Sequence, residues 1–298
     1  MPTPVFTHPD CVRHDPGMGH PETPARLRAV LDRLAWEASA EVRIAVPASR
    51  EDLLVVHPEG HLSRLEAMSR MGGGILSLDT VVNASSWAAV LGATGALRAA
   101  IENVHHNGGH AFAAVRPPGH HALAQRAMGF CLVNNVIVGA RRAQQLGRRQ
   151  VLIVDWDVHH GNGTQALMER DETIRFVSLH QHPWYPGTGM ADERGVGNVF
   201  NVPRGPGAPA ALYVTDLWAA VAAATQGWSP DLVLLSAGYD AMYGDPLGGF
   251  TLEPSDFARL TTRLREHLPS TPIVGVLEGG YVPERVADAV AATVAALE

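Results

Sequence analysis

The residues best suited to chemistry in this chain are histidines and aspartates, and they gather in a few short loops. Arg116-Pro-Pro-Gly-His-His-Ala122 carries a tandem histidine pair, and Asp155-Trp-Asp-Val-His-His-Gly-Asn-Gly-Thr-Gln165 alternates acid with imidazole. Ser178-Leu-His180 opens a third cluster that runs on to Tyr185-Pro-Gly-Thr-Gly189. Ser236-Ala-Gly-Tyr-Asp240 leads into Gly244-Asp-Pro246, and Glu278-Gly-Gly-Tyr281 closes the series. In an extended segment, Asp157 and His159 stand at i and i+2, so both side chains point the same way and can grip one ion. One more carboxylate completes a mixed oxygen and nitrogen set suited to Zn²⁺, with positions left for water and substrate. Asp245, fixed between Gly244 and Pro246, is the preferred third ligand; Asp240 competes but reads better as a turn or capping carboxylate. The same donors also suit Fe²⁺ or Mn²⁺.

His120 and His121 sit on a loop stiffened by Pro117-Pro118 and opened by Gly119. Hydrolysis at a metal needs a base for the attacking water and an acid for the leaving group, and histidine serves both near neutral pH. A carboxylate or amide behind each imidazole would fix its tautomer, and Asp155 and Asn162 are the candidates. Tyr281, after two glycines, presents a phenol that can donate to a developing oxyanion.

Elements must bring these loops together. Apolar, β-branched runs precede them: Ala111 to Val115, Val151 to Asp155, Ile174 to His180, Leu232 to Ser236 and Ile273 to Leu277. Continuous rather than alternating hydrophobicity predicts strands buried on both faces. Helical stretches lie between, at Trp87 to His105, Asn135 to Leu146, Ala210 to Gln226, Glu253 to His267 and Val282 to Leu297. An earlier helix, Pro24 to Trp36, has Thr23 at its N-cap. This alternation predicts one α/β domain over residues 1–298, with a central, mainly parallel sheet flanked by helices on both faces. In such folds ligands bind beyond the carboxyl ends of the strands, where all the loops above begin.

Composition narrows the function further. The 298 residues include 23 basic ones, all arginine, so lysine Schiff-base chemistry and a P-loop lysine are excluded. A net charge of −7 argues against a nucleic-acid partner. No run is long and apolar enough for a membrane span, the start lacks a secretory pattern, and two distant cysteines offer no disulfide framework. A cytoplasmic protein is expected. No GxSxG elbow, GxGxxG turn or HExxH helix is present, which leaves serine hydrolase, dinucleotide enzyme and zincin protease unsupported.

The ordered set of motifs resembles the histone deacetylase superfamily, in particular the class II-like bacterial deacetylase-like amidohydrolases. It includes His20-Pro-Glu-Thr-Pro-Ala-Arg26, Gly129-Phe-Cys-Leu-Val-Asn-Asn135 and Gly244-Asp-Pro-Leu-Gly-Gly249 beside the loops above, and spans nearly the whole chain. The resemblance implies an arginase-like fold and Zn²⁺-dependent hydrolysis of an acyl-lysine or similar acylated amine, with one zinc per chain held by Asp157, His159 and Asp245. It makes His121 the general base and then acid, His120 an electrostatic partner backed by Asp155, and Asn162 the support of His121. Tyr281 would polarise the acyl carbonyl. A structural K⁺ is implied near Asp155, Asp157, His159, Ser178 and Leu179. Phe130 and Tyr185 would wall a narrow tunnel, and Ser85 would lie near the substrate amide. Leu247 occupies the position where polyamine-selective relatives carry an acidic gatekeeper, which favours acyl-lysine over acetylpolyamine. An arginase-type ureohydrolase is the more distant alternative.

Overall fold

In the computed structural model, which describes residues 1–298, the apolar runs form the centre of one eight-stranded sheet. The strands are β1 (Thr3–Thr7), β2 (Ala40–Ile44), β5 (Ala111–Ala113), β6 (Val151–Asp155), β7 (Ile174–Gln181), β8 (Val199–Arg204), β9 (Leu232–Ala237) and β10 (Ile273–Leu277). Their order is β2-β1-β5-β10-β9-β6-β7-β8, and every neighbouring pair is parallel. A small antiparallel hairpin, β3 (Gly73–Ser77) and β4 (Thr80–Asn83), stands apart from it. Every residue of β6, β9 and β10 is buried, so helices cover both faces of the central strands.

The helices are α1 (Pro24–Leu34), α2 (Arg50–Leu54), α3 (Glu59–Arg70), α4 (Ser86–Asn107), α5 (Asn135–Gln145), α6 (Asn162–Met168), α7 (Ala210–Thr225), α8 (Pro254–His267) and α9 (Pro283–Leu297). Thr23 does hold the N-cap position of α1, but its side chain makes no capping bond; Pro24 at the first helical position sets the start. Helix α5 has the stronger signal, with Asn134 Oδ1 accepting the Ile137 N–H at 3.0 Å. Helices α1 and α8 each pack on α9, and α4 packs on α5. No helix is long and apolar enough to cross a membrane.

Register sets the site. Asp155 at the end of β6 pairs with Ser178 of β7 on one side and Ser236 of β9 on the other, while Leu277 of β10 pairs with Ala237. The loops that follow β6, β9 and β10 therefore leave the sheet at one level. A core of 63 buried apolar residues holds the sheet, and a second cluster of nine, including Leu62, Leu65, Leu132 and Val133, backs the loop that carries Phe130.

One buried ionic node ties the N-terminal segment to these loops. Glu22, fully buried, accepts from Arg26 Nη1 at 2.8 Å and from Arg116 Nε and Nη2 at 2.5 and 2.6 Å. Arg26 also donates through Nη2 to the Glu278 carbonyl at 2.6 Å, and through Nε to the Gly280 carbonyl. Burial would raise the Glu22 carboxyl, but Arg116 and Arg26 outweigh it and hold it at about 2. Removing Glu22 leaves two buried guanidinium groups unbalanced, so Glu22→Ala should cost about 3–5 kcal/mol in denaturant unfolding. Because the folded pKa is depressed, the node's stabilisation is present above about pH 4.5 and is lost as pH falls towards 2. A Glu22→Ala protein as stable as the parent at neutral pH would contradict this.

Candidate active site

Both histidines of the tandem pair turn inward from the loop after β5, with ring centroids 4.0 Å apart. His120 Nδ1 lies 3.0 Å from Asp155 Oδ2, and His121 Nδ1 lies 2.8 Å from Asn162 Oδ1, at the first residue of α6. Each partner offers an acceptor oxygen, so each Nδ1 carries its proton and donates, leaving Nε2 to face the site. The two rings differ in charge. Burial opposes a proton on His120, but Asp157 and Asp155 outweigh it and hold its pKa well above the usual value. Burial, reinforced by His120 and His159, holds His121 well below it. Burial thus favours a neutral His121, while the two carboxylates favour a proton on His120.

Beyond β6 and β9, Asp157, His159 and Asp240 bring donor atoms within 4.8 Å of one another, all from buried residues, and could hold a metal ion. His159 Nδ1 lies 3.0 Å from Asp157 Oδ1 and 3.2 Å from Asp240 Oδ2. Burial would lower this imidazole, yet its bonds to the two carboxylates hold it up at about 10. The carboxylates thus favour a positive charge here, as a proton or as a metal. Gly238 and Gly279 belong to the same cradle: a Cβ on either would collide with the Asp157 carboxylate, and one on Gly279 with Asp240 as well.

Asp245, the carboxylate preferred from sequence, lies in the same acidic neighbourhood, where burial and then the charge of Asp240 push its carboxyl up to about 7. Its carboxylate is fixed by two backbone hydrogen bonds that leave lone pairs for an ion, as the like bonds from the His159 and Gly279 N–H groups do at Asp157. Asp245 Oδ2 accepts the Tyr281 N–H at 2.7 Å, and Oδ1 accepts the Leu247 N–H at 2.9 Å. Asp240 is no capping residue: one oxygen accepts the Val158 N–H at 2.8 Å and the other is turned towards His159. A second group of potential donors, His120, Cys131 and Glu278, is less suited to a metal. Burial raises the Cys131 thiol well above its usual pKa, and the Glu278 carboxylate is taken up by backbone N–H groups.

In front of these residues lies a cavity of about 250 Å³ lined by His121, Gly129, Phe130, His159, Tyr185, Tyr281, Trp184, Leu247 and Asp79. Phe130 and Tyr185, expected as tunnel walls, and Leu247, at the gatekeeper position, are all among its lining residues. Tyr281 packs edge-on to Phe130 at 5.8 Å, with the Arg26 guanidinium 5.0 Å from its ring centroid. Burial and the nearby Asp240 raise the Tyr281 phenol well above its usual pKa, so it keeps its proton for donation. Ser85 does not line the cavity; it precedes α4, with its N–H on Asn83 Oδ1 at 3.1 Å. Ser178 and Leu179 are fully buried in β7 beside Asp155, and Ser178 Oγ lies 2.9 Å from His180 Nδ1.

Asp79 is the lining residue that sequence reasoning missed. It sits in the β3–β4 turn, where its Oδ1 accepts from Ser77 Oγ, Thr80 Oγ1 and the Gly129 N–H. With Thr80 Oγ1 accepting the Phe130 N–H at 3.1 Å, the hairpin clamps Phe130 in the left-handed region at φ 66°. The only signal was a polar turn between two β-branched runs. Left-handed backbone costs a residue with a Cβ about 1–2 kcal/mol, which glycine escapes. Phe130→Gly should therefore unfold at a higher temperature than Phe130→Ala, the reverse of the usual order; an Ala variant that melts higher would show that the clamp stores no strain.

Comparison with known proteins places the chain in a family. Residues 20–297 match the histone deacetylase domain. The chain is 40% identical over 281 residues to an uncharacterized protein of Synechocystis sp., covering 91% of each. It is 38% identical over 271 residues to the histone deacetylase-like amidohydrolase of Pseudomonas aeruginosa, covering 88% of this chain and 71% of the relative. The crystal structure of the HDA15 HD domain matches with a TM-score of 0.94 at 35% identity, over 99% of this chain and 88% of that one. An arginase-like sheet, the paired histidines and the match over residues 20–297 lead to one conclusion: the chain belongs to the histone deacetylase family.

Proposed function

We propose that the protein is a zinc-dependent amidohydrolase that cleaves an acyl-lysine, or a similar acylated amine, to a carboxylate and a free amine. One observation carries the reading: a neutral, oriented imidazole, His121, shares an apolar-walled cavity with His159 of the Asp157–His159–Asp240 set. The residues fit a metal. Asp240 Oδ2 is buried with no hydrogen-bond partner beyond its charge contact with His159, and two carboxylates with one imidazole form an accepted Zn²⁺ donor set. By family resemblance, a K⁺ would bind near Asp155, Asp157, His159, Ser178 and Leu179. Net charge of −7 and two unpaired, buried cysteines fit a cytoplasmic enzyme without a nucleic-acid partner.

When bound, zinc would acidify a water molecule and polarise the acyl oxygen. The chain's own residues do the rest. His121 Nε2 takes a proton from the attacking water and later returns it to the departing amine, with Asn162 holding the ring in the required tautomer. His120, kept charged by Asp157 and Asp155, stabilises negative charge as it develops. Tyr281 keeps its proton and donates a hydrogen bond from the phenol to the acyl oxygen. Phe130 and Tyr185 hold an aliphatic arm and keep bulk water away.

Acetate release from an acetyl-lysine peptide and from N8-acetylspermidine tests substrate class. The peptide should be turned over faster, because Leu247 stands at the gatekeeper position and the one lining carboxylate, Asp79, is occupied by Ser77, Thr80 and the Gly129 N–H. Faster turnover of the polyamine would move the function to small acylated amines; urea release from arginine with two Mn²⁺ per chain would favour the ureohydrolase reading. Tyr281→Phe should lower kcat about 10²–10³-fold, and wild-type turnover by that variant would overturn the role of the phenol. By elemental analysis, Asp240→Ala should lose its zinc while Asp245→Asn keeps it. The opposite pattern would restore Asp245 as the ligand.

A further inference from the structure

Glu278 is a buried carboxylate for which the chemistry above has no use, yet it touches the catalytic loop directly. It follows β10 and is only 1% exposed. One oxygen, Oε2, accepts the Gly119 N–H at 2.6 Å and the His120 N–H at 3.2 Å; the other accepts from Ser236 Oγ at 3.3 Å. Neither N–H has a main-chain partner. The rest of its segment is tied just as closely to the opposite wall. The Gly279 N–H donates to Asp157 Oδ2 at 2.9 Å, and the Tyr281 N–H donates to Asp245 Oδ2 at 2.7 Å. Glu278 is thus the one side chain that joins the backbone bearing Tyr281 to the backbone bearing His120 and His121.

We infer that Glu278 is a positioning residue that sets the histidine pair against Tyr281 by accepting the Gly119 and His120 N–H groups. What the loop needs from it is an acceptor oxygen at the right reach rather than a charge. Burial pushes the Glu278 carboxyl up to about 7, against the pull of His120, so even the native group sits near neutrality. A glutamine has the same shape: its Oε1 can accept both N–H groups while its amide faces Ser236 Oγ. An aspartate keeps the charge but is one methylene short. Misplacement of a catalytic group by about 1 Å can cost about 10²-fold in rate.

The inference rests on the amidohydrolase reading, so the test has two readouts. The first is kcat and KM for acetate release from an acetyl-lysine peptide by zinc-loaded Glu278→Gln and Glu278→Asp. Glutamine should leave kcat within about 3-fold of the parent, and aspartate should lower it about 10–100-fold with KM unchanged. The second is the proton NMR signal of His120 Nδ1–H, which should persist in the glutamine variant and exchange rapidly in the aspartate variant. This readout stands even if the parent hydrolyses no acyl amide, an outcome that would sink the reading of the site but not the clamp. A glutamine variant as impaired as aspartate, or an aspartate variant with parental kcat and an unchanged His120 signal, would overturn the positioning role.

Discussion

Asp155, Asp157, Asp240 and Glu278 are all buried at one end of the sheet, and their mutual repulsion is the constraint that the rest of the site answers. Charges this close in a medium of low dielectric cannot all remain ionised without cations among them. The chain supplies two, His120 against Asp155 and His159 between Asp157 and Asp240. Backbone N–H groups of Val158, His159 and Gly279 supply further donors to these carboxylates. The protonation pattern follows from that arrangement. With positive charge on either side, His121 stays neutral, which is the state a base needs. The carboxylates that would recruit a metal thus also hold the positive charges on either side of His121.

Support for this arrangement comes from groups outside it. Arg26 holds the carbonyls of Glu278 and Gly280 and stacks on Tyr281, and it is itself held by Glu22 and through that carboxylate by Arg116. The hairpin at Asp79 fixes Phe130 in a conformation it would not adopt alone. The two walls of the cavity are thus set by ionic and backbone hydrogen bonds rather than by packing alone.

Much of the fold was legible in the sequence because its central strands are continuous apolar runs. Val151–Asp155 and Ile273–Leu277 have the boundaries that their hydrophobicity predicts, and the long helices differ from expectation by a residue or two at their ends. The edges were not legible. Strand β2 alternates charged and apolar residues, β8 contains Pro203 and Asn201, and β1 is five residues with a proline. Such segments become strands only because a neighbour is there to pair with. That Asp155 and Asn162 support the two imidazoles was readable from the loops, while which one backs which came only from the family resemblance. Choosing between Asp240 and Asp245 as the third ligand was not, since only five residues separate them and both carboxylates lie in one acidic neighbourhood. Asp79 and Glu278 escaped notice for the same reason: each acts through backbone groups distant in sequence.

Where zinc binds in the crystal decides which residues hold it. Crystals of the zinc-loaded protein, measured on both sides of the zinc absorption edge, would locate the ion by anomalous difference density. The account predicts one strong peak at about 2.0–2.2 Å from Asp157, His159 and Asp240, with Asp245 still on the Tyr281 N–H. A peak at Asp245, at the His120–Cys131–Glu278 group, or at no fixed position would contradict it.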